Sequence, residues 1–302
     1  MLHINLLGPT GVIESGTSLS SHAVGGAKPW QVLEILALAG DVPVSKDRLA
    51  DLLWEGRPPR SYLGTLESYV CVLRKSLGLG RGRDSALRTV MRGYVLDPEA
   101  VTVDIVEFRR LVRSAGLAGE TALSVDLDTL ERALALVQGP LLAGEPYAAW
   151  AIREREAFQA ELVVATGLGA RWALALDEPG RAMRLARTAV DVDRLAEEPA
   201  RLLMQALHGL GRHSEALRTY AELRARLGDE LGSEPSHESQ LLYLEILHSE
   251  ERSVVEHRQD AREEVRMLVR LLRQALPGVM TLAECDEGRE LVRVVAGVSA
   301  AV

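Results

Sequence analysis

Side chains able to do chemistry are unevenly spread along the 302-residue chain. Between residues 57 and 92 stand Arg57, Arg60, Arg74, Lys75, Arg81, Arg83, Arg88 and Arg92, opposed only by Glu67 and Asp84, a net charge of +6 in 36 residues. Guanidinium and ammonium groups at this density suit the neutralisation of a phosphate backbone, where each cation releases condensed counterions. A solvated basic surface has the same composition, so charge alone leaves both readings open. The whole-chain charge of −8 hides this patch. Residues 1–95 hold 11 Lys/Arg against 8 Asp/Glu, whereas residues 96–302 hold 24 against 35.

Other chemistries find no support in the spacing. Cys71 and Cys285 are far apart and belong to no CxxC or Cys/His cluster, which argues against a disulfide framework and a structural zinc. His208 and His213 are five residues apart and His248 and His257 are scattered; none forms an i,i+4 metal pair, which leaves them as surface histidines. Gly8, Gly11 and Gly16 are not followed by the βα turn of a dinucleotide site, and no GxxxxGK[ST] phosphate loop occurs. No nucleophile stands beside a base and no carboxylates pair, so the expectation is a protein that is not an enzyme and needs no cofactor. The start MLHINLLGPTGVIE lacks the pattern of a secretion signal, and no apolar run reaches the length of a membrane span; a cytoplasmic location is expected.

The elements that must position the basic cluster can be read from periodicity. Leu2 to Glu14 alternates around Gly8-Pro9 and predicts two short strands. Pro29 opens a helix with Val32, Leu33, Leu36 and Leu38 on its buried face, and Ser45 is placed to cap a second helix through Leu49, Leu52 and Leu53 to Trp54, stopped by Gly56 and Pro58-Pro59. A third helix runs from about Arg60 to Leu77, and Leu87 to Leu96 reads as a strand pair around Arg92-Gly93. Strands, three helices and a hairpin within about 95 residues describe a winged helix-turn-helix. In its third helix Leu66, Val70, Leu73 and Leu77 share one face and must enter the core. The opposite face carries Gly64, Ser68, Cys71, Val72 and Lys75. Such a helix, with Arg74-Lys75 at its basic end, fits the major groove of DNA, and the hairpin behind it puts Arg92 against the adjacent minor groove or backbone. Arg74 and Lys75 are equally compatible with a solvated helix end favoured by the helix dipole.

From residue 101 the texture is helical, rich in Ala, Leu and Arg, with Asp104 and Asp126 or Asp128 as candidate N-caps. An offset of 34 residues aligns Leu176 with Leu210, Ala182 with Ala216 and Arg184 with Arg218, the period of a tetratricopeptide repeat, although a plain helical bundle is also compatible. Glu250 to Leu276 reads as one charged amphipathic helix and Val279 to Val295 as a hairpin around Asp286-Glu287-Gly288. The fold class expected is mainly α, with domains at 1–97 (winged helix, small sheets), 98–249 (tetratricopeptide-like helices) and 250–302 (a helix and hairpin extension).

Six stretches carry a resemblance to a known family: VGGAKPWQVLEILAL (24–38), PVSKDRLADLLWEGRPP (43–59), TLESYVCVLRKSLG (65–78), RTVMRGYVL (88–96), LVQGPLLAG (136–144) and GRHSEALRTYAELRARLGDELGSEPS (211–236). In this order they resemble the Streptomyces antibiotic regulatory proteins, an OmpR-type winged helix followed by a bacterial transcriptional activator domain, over roughly residues 2–248. The resemblance implies an activator of antibiotic biosynthesis genes that binds direct repeats of double-stranded promoter DNA near the −35 element as a homodimer. It also implies recruitment of RNA polymerase through the sigma factor. Trp54 falls where relatives touch a backbone phosphate, though a tryptophan there also serves as an interhelix aromatic. Thr65, Ser68, Arg74 and Lys75 match the groove-facing helix, and Thr89, Arg92 and Tyr94 match the wing. Cys71 and Val72 depart from the polar or basic residues usual in the family, which removes one or two expected hydrogen bonds while leaving the Val72 methyls able to pack on a thymine methyl. The departure keeps a second reading in play, a protein-interaction adaptor with weakened DNA binding.

Overall fold

The computed structural model describes residues 2–14, 17–19, 24–80, 85–115 and 123–275, which fall into two compact units, Met1–Ala206 and Leu207–Val302. In the first unit β1 (Leu2–Asn5), β2 (Gly11–Glu14) and β3 (Thr17–Leu19) form an antiparallel meander. The sheet is completed by β7 (Val101–Val103), which runs parallel to β1 with Leu2 opposite Val101, giving the order β3-β2-β1-β7. Residue 97, expected as the end of the first domain, therefore lies just before a strand of the first sheet. One apolar core cluster runs from Leu2 through Phe108 to Ala165.

Asp104, the first residue of α4 (Asp104–Ser114), ties this junction together. Rather than capping its own helix from outside, its buried carboxylate accepts from Leu6 N and Leu7 N at 2.8–2.9 Å, satisfying amides that β1 leaves behind as it ends. The expected cap at Asp126 or Asp128 is likewise not seen, because α5 (Leu123–Leu134) starts earlier and holds both residues inside the helix.

Between the first sheet and α4 lie α1 (Ala27–Ala39), β4 (Val44–Ser45), α2 (Lys46–Leu53), α3 (Tyr62–Ser76), β5 (Leu87–Val90) and β6 (Gly93–Leu96). The run Val32–Ala37 is buried on all sides, as a central helix requires, and it takes Glu34 in with it. Trp30 Nε1 donates to Glu34 Oε1 at 2.9 Å, but Glu34 Oε2 has no partner; burial, with Glu145 nearby, pushes this carboxyl up to about 8. Ser45 caps α2 as its sequence predicts, accepting from Arg48 N at 3.0 Å. Strand β4 joins the hairpin to give a second sheet, β4-β6-β5.

The remaining helices are α6 (Ala149–Ala175), α7 (Pro179–Val192), α8 (Glu197–Gly209), α9 (His213–Leu231) and α10 (His237–Ala275). The 34-residue period is kept to the level of single hydrogen bonds. In the α6–α7 turn Glu178 N donates to Ala173 O at 2.8 Å, and in the α8–α9 turn Arg212 N donates to Leu207 O at 2.9 Å. Asp177 (φ 57°) and Gly211 (φ 71°) supply the left-handed residue of each turn, and Ala182 and Ala216 are fully buried at matched places. The ion pair closing each turn is reversed: Glu178 holds Arg181 in the first, Arg212 holds Glu215 in the second. Arg181 also reaches Asp128 and Glu131, fastening α5 to α7.

Helix α10 is a single 39-residue helix that passes through residue 250 without a break. The hairpin expected at 279–295 lies outside the described residues. No described helix is long and apolar enough to cross a membrane.

Candidate nucleic-acid interface

The third helix is built as its periodicity demands. Leu66, Val70 and Leu73 are buried, with Leu77 beneath the last turn, so the other side of α3 must face outward. Gly64, Ser68, Cys71 and Lys75 are exposed and Thr65 is half-buried. The two hydroxyls are already committed as donors, Thr65 Oγ1 to Ser61 O at 3.1 Å and Ser68 Oγ to Gly64 O at 2.9 Å. What they offer outward in these rotamers is lone pairs, the complement of an amino group on a base edge. Val72 is 37% exposed, and one of its methyls fills the space beside Gly25 (φ 97°), where a Cβ would stand 2.2 Å away. It lies at the margin of the surface, packed on the loop that precedes α1.

The wing is rigidly attached to this helix. Arg74 turns its guanidinium back into the protein: Nε and Nη2 donate to Leu87 O at 3.1 and 2.8 Å, and Nη2 also donates to Thr89 Oγ1 at 2.8 Å. It thereby fixes the angle between α3 and β5. At the hairpin, Val90 pairs with Gly93, so the turn is Met91-Arg92, one residue earlier than the sequence suggests. Arg92 takes φ 64° and its carbonyl accepts from Lys46 N at 2.9 Å. Gly93 has no room for a side chain, since a Cβ would stand 2.2 Å from Val44 O. Met91, which sequence reasoning passed over, is 98% exposed at the tip.

Tyr94 faces inward, 2% exposed, and burial pushes its phenol up; the Lys46 ammonium sits 5.7 Å from its ring centre and 2.6 Å from Glu67 on α3. Lys46 is thus a further link between α2, α3 and the wing that its ordinary place in a helix gave no reason to single out. Trp54, half-buried just after α2, stacks on Tyr69 of α3 with ring centres 6.5 Å apart. That contact accounts for its indole as an interhelix aromatic.

The basic cluster divides by role. Arg74 and Arg88 are half-buried and engaged within the protein, the latter paired with Asp97 at 3.4 Å; Arg81 and Arg83 lie outside the described residues. Arg57 and Arg60 on the α2–α3 loop, Lys75 at the end of α3 and Arg92 at the wing are exposed and form no ion pair among the described residues. Arg57 and Arg60 precede α3, Lys75 stands at its last turn and Arg92 on the wing, while the exposed side of α3 carries Gly64, Ser68 and Cys71 beside Glu67, whose charge is taken up by Lys46.

Residues 103–247 match the bacterial transcriptional activator domain family. Regulatory protein DnrI of Streptomyces peucetius is 31% identical over 265 residues, which span 82% of this chain and 93% of that protein. Transcriptional regulator RedD of Streptomyces coelicolor is 33% identical over 258 residues, 82% of this chain and 70% of that protein. The solved structure of Mycobacterium tuberculosis EmbR in complex with a low affinity phosphopeptide aligns with a TM-score of 0.70 at 27% identity, covering 82% of this chain and 65% of that one.

Proposed function

The chain belongs to the Streptomyces antibiotic regulatory protein family of transcriptional regulators, and on that premise we propose that it is a sequence-specific activator of a secondary-metabolite gene cluster. Two copies occupy direct repeats near a promoter's −35 element. In each, α3 enters the major groove with Gly64, Thr65, Ser68 and Cys71 towards the base edges, and the wing tip reaches the neighbouring minor groove. Arg57, Arg60, Lys75 and Arg92 hold phosphates, while the helical hairpins supply contacts to the second copy and to RNA polymerase with its sigma factor.

The observation that carries this reading is the composition of the exposed side of α3. A small, acceptor-bearing surface flanked in the fold by cations with no ion pair among the described residues is what base readout between phosphate clamps requires. Arg74 and Tyr94 enter as positioning residues: one sets the angle of the wing, the other fills its base.

Capture of genomic fragments on the purified chain, followed by gel-shift titration of the recovered sites at two salt concentrations, tests it. Promoter fragments with repeats about one helical turn apart, bound less tightly as salt rises, are the expected result. Recovery no better than random DNA would overturn it in favour of an adaptor that works through the helical hairpins.

A further inference from the structure

The two helical hairpins serve as controls for each other. The backbone hydrogen bonds donated by residues 177, 178, 181 and 182 at the α6–α7 turn recur at 211, 212, 215 and 216 at the α8–α9 turn, yet the first closes with Leu174 and Pro179 where the second has His208 and His213. The turn itself does not need imidazoles. In the second hairpin His208, on the last turn of α8, and His213, the first residue of α9, bring their Nδ1 atoms to 2.9 Å, with ring centres 4.8 Å apart. Both rings are half-buried, and neither Nε2 has a partner among the described residues. This corrects their reading as unrelated surface histidines.

We propose that His208 and His213 form a two-imidazole chelate for a divalent metal of tetragonal geometry, Ni(II) or Cu(II). Imidazole nitrogens bind such ions at about 2.0–2.1 Å, and two of them 2.9 Å apart then subtend about 90° at the metal. That is the angle between neighbouring ligands of a square or octahedral ion; a tetrahedral zinc asks for a wider bite. Without metal one Nδ1–H donates to the other ring's lone pair. On binding, that proton moves to Nε2 of its own ring, so both Nδ1 lone pairs turn to the metal and no charge is lost. No third His, Cys, Asp or Glu gathers there among the described residues, so water or a small ligand fills the remaining positions. The bridge spans one helical turn to the next and staples the second hairpin shut.

The test is titration of the untagged full-length chain with NiCl2 and, separately, CuSO4, by calorimetry and by thermal unfolding, with the copper spectrum recorded by electron paramagnetic resonance. One saturable site, an axial copper signal with nitrogen coupling and a raised Tm are expected. His208→Gln and His213→Gln each abolish the site while helical circular dichroism is retained, and His248→Gln, at an exposed position of α10, keeps it. No saturable step with either ion, or a step that survives both substitutions at 208 and 213, overturns the proposal.

Discussion

The outward face of α3 and the rim around it differ in the kind of group they offer. The face presents Gly64, Thr65, Ser68 and Cys71, whose small size admits close approach and whose hydroxyls, already donating to Ser61 O and Gly64 O, can only accept. The rim presents Arg57, Arg60, Lys75 and Arg92, long cations with no internal partner among the described residues. The difference teaches how the work divides: the rim is suited to affinity, which any sequence shares, and the face to choice among sequences. A third set, Arg74, Lys46 and Tyr94, belongs to neither; it holds face and wing in fixed relation.

The comparison breaks most completely if the wing is detached. Gly93→Ala drives a Cβ into Val44 O and should cost about 3 kcal/mol in urea unfolding, with specific DNA binding lost alongside. Next comes a change behind both surfaces. Glu34 is raised from the ordinary carboxylate range to about 8, so between these pH values the folded chain keeps a proton that the unfolded chain gives up. Stability is therefore full at the acid end and declines as pH rises through that window. Glu34→Gln should remove the decline, a few kcal/mol at about 1.4 kcal/mol per pH unit of the shift, making the variant the more stable above pH 8 in thermal unfolding across pH.

Arg74→Lys sharpens the comparison, because a lysine cannot reproduce the fork on Leu87 O. Loss of about 1–2 kcal/mol of binding is expected, with the salt dependence of affinity unchanged; a shallower salt slope would place Arg74 on a phosphate instead. The smallest effect belongs to Ser68→Ala. It should relax preference by about 1 kcal/mol at a single base pair that presents an amino group, read out by competition between operator variants.

Much of this arrangement was legible in the sequence where one element decides its own fate. The stripe Leu66, Val70, Leu73 fixes which side of α3 is exposed, and Ser45 announces the start of α2. The 34-residue offset is borne out down to the left-handed residues at 177 and 211. What was hidden depends on partners far along the chain. Strand β7 is three residues whose place is set by parallel pairing with β1, about a hundred residues earlier, and Asp104 spends its carboxylate on amides of that same region. Arginines look alike in a sequence, so nothing local separates the inward Arg74 from the outward Arg57. The histidines at 208 and 213 sit on different helices, where no single-helix spacing rule applies. No Gly or Pro lies between Pro235 and Pro277, and α10 runs through residue 250 as one helix.

If the rim holds DNA and the face chooses the sequence, the two separate on selecting binding sites from random DNA with the wild-type chain and with an Arg57→Ala/Arg60→Ala variant, then measuring each affinity against salt. The same selected sequence is expected for both, with weaker binding and a slope of log K against log salt shallower by about 2 for the variant. A changed sequence preference with an unchanged slope would contradict this division.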